Sequence, residues 1–155
     1  MSRKVFLSNS EQETKKFASD LIKKFQNQLD KKCLIFALEG ELGAGKTVFA
    51  KGVAEALGIK KVIRSPGFII EREFPYRLGK ISGKFFHIDL WRMESEKEIE
   101  KLDFKRYLQS GNIILIEWAE KLGSLQKKFI SHPQVLLTKI KIKFQGKNKR
   151  GFIYN

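Results

Sequence analysis

An α/β fold, with a mixed parallel and antiparallel central sheet flanked by helices, is what the sequence predicts, and three observations predict it. Two continuous apolar runs, Cys33 to Leu38 (CLIFAL) and Ile113 to Ile116, have the length of strands and no polar side, as strands covered on both faces require. Between and before them lie stretches whose apolar residues recur three and four apart, the period of a half-buried helix. The chain then closes on alternating segments separated by turn-forming residues, which reads as a C-terminal β-hairpin. At 155 residues, with 42% hydrophobic and 31% charged, the chain is sized for a single domain, residues 1–155, with its own core.

Taken in order, Lys4 to Leu7 alternates like a short edge strand, and Ser10 with Glu13 forms a capping box that opens a helix with Phe17, Leu21, Ile22 and Phe25 as its apolar stripe. Polar Asp30, Lys31 and Lys32 end that segment before the buried run at Cys33. From Lys46 the pattern is helical again, with Val48, Phe49, Val53, Ala54 and Leu57 on one side and Gly58 placed to stop it. Phe68 to Phe74 is expected to pair antiparallel with Lys84 to Leu90 across a connection containing Pro, Gly and Ser. A second capping box, Ser95 with Glu98, begins a helix that carries Ile99 and Leu102 and runs on through Tyr107 and Leu108 until Gly111 and Asn112. After the run at Ile113, Val135 to Phe144 is expected to fold against Gly151 to Tyr154 around QGKNKR.

The segment GELGAGKT, Gly40 to Thr47, lies where a buried strand gives way to a helix. Glycine, four residues, then Gly-Lys-Thr is the phosphate-loop pattern, in which backbone N–H groups and a helix amino terminus cradle the phosphates of a nucleotide. Gly40, Gly43 and Gly45 let the backbone curl close to an anion. Lys46 reaches the terminal phosphates, and the Thr47 hydroxyl is a magnesium ligand. The expected contact set is Gly40, Glu41, Leu42, Gly43, Ala44, Gly45, Lys46, Thr47 and the adjoining Val48, with Trp118 beyond. Such a site needs a further acid at the end of a neighbouring buried strand. Glu117, after Ile113 to Ile116, and Asp89, in HIDLWR, both qualify as a magnesium and water-positioning pair. The fold expected is therefore phosphate-loop NTPase-like, with Lys46, Asp89 and Glu117 as its catalytic residues and ATP with Mg2+ as ligands. His87 alternates with Asp89 and shares its face, where a structural role is favoured. His132 falls in a loop, and packing is the default for Trp91 and Trp118.

The formal charge of +14, from 31 basic and 17 acidic residues, raises the local concentration of phosphate-rich partners. Lysine supplies 24 of the basic residues and is spread along the chain, which favours a solvated lysine surface over a dedicated nucleic-acid face. The lone Cys33 excludes an intrachain disulfide and a cysteine metal cluster, in keeping with a reducing cytoplasm. The amino terminus lacks the apolar stretch of a signal peptide, and no run approaches the roughly 18 apolar residues of a membrane span. A cytoplasmic protein without a membrane partner is the expectation.

GELGAGKT, SPGF (Ser65 to Phe68), HIDLWR (His87 to Arg92) and IEWAEKL (Ile116 to Leu122) together resemble, in order and spacing, the bacterial TsaE (YjeE) family. The resemblance spans roughly residues 8 to 124 and departs from the family pattern at Gly67, where threonine is usual, and at Trp91, where tyrosine is. It implies an ATPase of tRNA threonylcarbamoyladenosine biosynthesis, slow alone and stimulated by two partners, the catalytic transferase subunit and its noncatalytic paralogue (TsaD and TsaB type). In that role ATP binding and hydrolysis reset the partner complex between rounds on the adenosine next to the anticodon, with tRNA met through the complex. Carried over residue by residue, Lys46 holds phosphates, Thr47 and Glu117 hold magnesium, Asp89 supports hydrolysis, and Glu11, with Ser10 and Thr14, lies near the adenine. The Gly67 departure bears on hydrolysis rather than on binding.

Two rivals share the phosphate loop. A small-molecule or nucleoside kinase needs an acceptor pocket and an arginine-bearing lid, and only seven arginines are present. A nonhydrolytic, ATP-regulated RNA-binding adaptor is motivated by the charge and by Gly67. A GTPase is disfavoured, because the Asn148–Lys149 pair is followed by Arg150 and Gly151 rather than by the guanine-reading aspartate pattern.

Overall fold

The computed structural model describes residues 3–61, 63–64 and 70–155. Its frame is one seven-stranded sheet in the order β1-β7-β6-β2-β5-β4-β3. The strands are β1 (Lys4–Ser8), β2 (Cys33–Glu39), β3 (Glu71–Leu78), β4 (Ile81–Asp89), β5 (Ile113–Glu117), β6 (Val135–Gly146) and β7 (Lys149–Tyr154). The apolar runs at Cys33 and Ile113 occupy the centre, as their lack of polar alternation requires. β2 lies parallel to both β5 and β6, and β5 lies parallel to β4. β3 adds antiparallel at one edge and β7 and β1 add antiparallel at the other, which makes the sheet mixed.

Two helices cover one face. α1 (Glu11–Phe25) is capped by the Ser10 side chain, which accepts from the Glu13 N–H, and α2 (Lys46–Ala56) follows the phosphate loop. Phe17, Leu21, Phe49 and Val53 pack there against Phe36, Leu115 and Phe152. α1 and α2 lie so close that a Cβ on Gly52 would stand 2.6 Å from the Lys15 Cα, a separation only glycine permits. The other face is covered by α3 (Glu96–Glu100), α4 (Phe104–Tyr107) and α5 (Leu125–Ser131), with Ile99, Tyr107, Leu122 and Phe129 packed against Ile35, Phe86 and Ile114. Cys33 is wholly buried, and burial pushes its thiol up to about 12, so it offers no thiolate nucleophile near neutral pH.

Several boundaries differ from expectation for physical reasons. β3 runs on to Leu78 and the turn is the tight Gly79–Lys80, so Pro75 and Ser82 sit inside strands rather than in the connection. Pro75 is tolerated because β3 is an edge strand, where a missing N–H breaks no central ladder. Phe68 and the S-P-G-F motif with Gly67 lie outside the described residues. The helix opened by Ser95 breaks after Glu100, and α4 restarts under its own cap, the Asp103 carboxylate accepting from the Arg106 N–H at 3.3 Å. A short 3-10 turn over Ala119–Leu122 and α5 fill a stretch for which the sequence pattern gave no element.

The final hairpin is also larger than its turn residues implied. β6 spans twelve residues; its first half pairs parallel with β2 and its second half antiparallel with β7. β2 stops at Glu39, opposite Lys141, whereas β6 continues to Gly146. At about 3.3 Å per residue, that overshoot carries the hairpin roughly 16 Å past the carboxyl end of β2, alongside the phosphate loop.

Candidate nucleotide site

Three parallel strands end together: β2 feeds the loop at Gly40, and the last pair of β4 and β5 is Asp89 opposite Glu117. The carboxyl edge of such a sheet is where α/β folds place ligands, because helix amino termini and strand-end side chains converge there. Gly40, Gly43 and Gly45 all have positive φ, at 152°, 77° and 108°. A Cβ at Gly40 would meet the Ile142 carbonyl at 2.7 Å, so the loop is seated on β6 in a way no other residue allows. Gly45 then caps α2 in a left-handed conformation, leaving the first-turn N–H groups of an eleven-residue helix directed into the loop.

Lys46 is only 5% exposed. Its Nζ donates to the carbonyls of Gly40 at 2.6 Å and Glu41 at 2.9 Å, and lies 3.9 Å from the centroid of the Trp118 ring. Burial lowers this ammonium below its ordinary value, and the nearby charges of Glu117, Glu120 and Asp89 act against that shift. Trp118 reaches the lysine from a left-handed backbone (φ 60°), the one non-glycine positive φ among the described residues. Such a conformation costs of order 1–3 kcal/mol and persists where surroundings over-determine it. Here the ring is held between Lys46 and Trp91, whose centroid is 4.4 Å away.

The carboxylates stand opposite the loop. Glu117, 3% exposed, accepts at Oε1 from the Thr47 hydroxyl at 3.3 Å and lies 2.7 Å from the His87 Nε2. Asp89 uses Oδ1 to accept from the Trp91 N–H at 2.9 Å. A cleft of about 320 Å³ is lined by Leu42, Gly43, Ala44, Gly45, Lys46, Thr47 and Val48 on one wall and by Asp89, Trp91, Arg92, Glu117 and Trp118 on the other. A second cleft, about 220 Å³, joins it at Gly43, Gly45 and Val48 and is lined further by Ser10, Glu11, Thr14, Lys147, Asn148 and Arg150. The expected site residues line these two clefts, save Gly40 and Glu41, whose carbonyls accept from Lys46.

Arg150 was not singled out from sequence. Its Nε donates to the Ala44 carbonyl at 3.0 Å and its guanidinium lies 3.9 Å over the Phe144 ring, so the hairpin grips the loop from behind. No local signal marks it, because the contact spans 106 residues and depends on the overshoot of β6. His87 is the other surprise: the H-x-D spacing put it on the face of Asp89, yet its hydrogen-bonding atom meets the acid of the next strand.

The candidate metal ligands of this cleft are hard oxygens, the Thr47 hydroxyl bonded to the Glu117 carboxylate, with the Asp89 carboxylate on the same wall as Glu117. Magnesium is held by one or two carboxylates together with substrate phosphates rather than by an all-protein cage, so these residues fit it.

A family model, "Threonylcarbamoyl adenosine biosynthesis protein TsaE", matches residues 8–152. The chain belongs to the TsaE family. Curated relatives named tRNA threonylcarbamoyladenosine biosynthesis protein TsaE include that of Rickettsia typhi, 35% identical over 92% of this chain and 88% of that protein. The Aquifex aeolicus protein of the same name is 36% identical over 76% of this chain and 78% of its own length. The Bacillus subtilis one is 45% identical over 55% of this chain, a match that spans 50% of that relative; for the Haemophilus influenzae protein the share is 63%. Among solved structures, Bacillus subtilis YdiB superposes with a TM-score of 0.66 at 28% identity, covering 99% of this chain and 84% of that one. The fold is that of a phosphate-loop NTPase, in a family that acts in tRNA threonylcarbamoyladenosine biosynthesis. No helix among the described residues is long and apolar enough to cross a membrane.

Proposed function

We propose that this TsaE-family chain is an ATPase that binds ATP with Mg2+ between α2 and the ends of β4 and β5, and that its hydrolysis cycle resets the partner proteins performing threonylcarbamoylation of tRNA. The observation that carries this reading is the convergence of Lys46, Thr47, Asp89 and Glu117 on one cleft, with the Thr47 hydroxyl already bonded to Glu117. Lys46 and the first-turn N–H groups of α2 neutralise the β- and γ-phosphates. The backbone N–H groups need little reorganisation, while Lys46 Nζ exchanges the Gly40 and Glu41 carbonyls for phosphate oxygens. Thr47 and Glu117 hold the metal, which supplies charge neutralisation of the phosphates when bound. A hydroxyl can donate its proton to Glu117 while giving a lone pair to a cation, so the observed bond and metal ligation are compatible. Asp89, in register beside Glu117, orients a water for attack on the terminal phosphate. The base lies toward the second cleft, where Glu11, Thr14, Lys147 and Asn148 offer polar groups.

The partners proposed are the catalytic threonylcarbamoyl-transferase subunit and its noncatalytic paralogue, with the protein acting in the cytoplasm. Trp91, half exposed at the mouth of the phosphate cleft, and Lys121, which donates to the Trp91 carbonyl, form a surface through which a partner can sense the cleft's contents. Turnover of radiolabelled ATP, with and without those two proteins, tests the reading. Release of inorganic phosphate that rises on adding them supports it; transfer of phosphate to a nucleoside would instead identify a kinase.

A further inference from the structure

We infer that His87 is the positioning residue of the metal site: its bond to one oxygen of Glu117 fixes the orientation in which that carboxylate is presented beside Thr47. This rests on the nucleotide and metal reading given above and adds to it a residue that never touches the metal or the substrate.

His87 sits on β4, paired with Leu115, two residues before Asp89, and is wholly buried. Its Nε2 is 2.7 Å from Glu117 Oε1, while its Nδ1 is buried without a hydrogen-bond partner among the described residues. That asymmetry fixes the proton. A nitrogen this close to a carboxylate oxygen must donate to it, whereas a proton on Nδ1 would bury an unpaired N–H and turn the Nε2 lone pair against Oε1. Phe85 lies along the same strand with its ring 10° from parallel to the imidazole, at 6.3 Å, and both rings are wholly buried.

Glu117 is thereby held asymmetrically. Oε1 takes both protein donors, His87 and Thr47, and Oε2 takes none among the described residues. The His87 bond is the short one, at 2.7 Å against 3.3 Å for Thr47. Thr47 is itself assigned to the metal and shares its hydroxyl with the cation, so His87 is the donor given over to the carboxylate alone. Partners that orient metal ligands in this way are worth about 10–100-fold in metal affinity. Among the described residues Nδ1 has no partner, so Nε2 on Glu117 is the polar contact of the imidazole there.

The test compares His87→Met, which fills the volume without a donor, with His87→Gln, which retains an N–H of similar reach. ADP affinity is measured by calorimetry for each full-length variant in EDTA and across a Mg2+ titration, with melting temperature followed in parallel. The expected result is unchanged metal-free ADP affinity in both, a Mg2+ midpoint raised about 10–100-fold in His87→Met, and a midpoint near wild type in His87→Gln. A folded His87→Met with the wild-type Mg2+ midpoint would overturn the inference, as would equal loss of metal-free and metal-dependent binding. If neither variant folds, imidazole 15N spectra of the wild-type protein decide: Nε2–H that responds to Mg2+ with ADP supports the assignment, and Nδ1–H overturns it. Absence of any ADP binding by the wild type would instead remove the nucleotide reading itself, and the two failures are distinguishable.

Discussion

The two sides of the phosphate loop are built by different parts of the chain in different ways. On the metal side, Asp89, Glu117 and His87 project from β4 and β5, central parallel strands whose register is locked by neighbours on both edges. On the hairpin side, Arg150, Lys147 and Asn148 come from the antiparallel pair that overshoots β2, and they meet Glu11 from the start of α1. The first side is buried, acidic and braced from beneath; the second is basic, carries exposed side chains and is held through carbonyls of the loop itself. The proposed metal chemistry thus falls on strands paired along both edges, whereas the hairpin meets the loop through Arg150.

Removing what both sides share has the largest expected effect. Lys46→Ala deletes a nearly buried cation that faces the most charged phosphates, and charge-assisted bonds of 1.5–3 kcal/mol each imply roughly 100-fold or greater loss of ATP and ADP affinity by calorimetry. Unchanged affinity would remove the loop as the site. Glu117→Ala breaks the metal side alone. Its Mg2+ midpoint rises by at least the roughly 10–100-fold typical of losing a supporting partner, while ADP binding in EDTA stays near wild type. Equal loss in both conditions would make Glu117 a structural residue.

Arg150→Ala probes the hairpin side. Losing the bond to Ala44 lowers stability by about 1–2 kcal/mol in urea denaturation and weakens ADP several-fold, by the same factor with and without Mg2+. A loss confined to the Mg2+ arm would blur the distinction between the two sides. Glu11→Ala is the gentlest case, since that carboxylate is exposed at the rim of the second cleft. ADP affinity falls a few-fold while pyrophosphate affinity does not change; a matching loss for pyrophosphate would move Glu11 to the phosphates.

The same contrast explains what the sequence disclosed. CLIFAL and Ile113 to Ile116 announced buried strands because each is an unbroken apolar run of strand length, and from them the places of the phosphate loop and Glu117 followed, with Asp89 read from the end of Lys84 to Leu90. The hairpin side was legible only as turn residues. Nothing local in QGKNKR states that β6 outruns β2, and so nothing pointed Arg150 at Ala44. His87 lay between these cases: alternation placed it on the right face, but its partner across the sheet depended on β4 and β5 pairing Asp89 with Glu117. α5 escaped because its seven residues carry only Leu125 and Phe129 as buried anchors, too short a pattern to stand out. The family motifs added the pathway, which no period or spacing contains.

A nucleotide site with its metal half on Thr47 and Glu117 is probed by titrating ADP into the wild-type protein in EDTA and again in Mg2+. One site per chain, tighter with Mg2+ than without, is the result predicted. Binding that ignores Mg2+, or no binding in either condition, would contradict it.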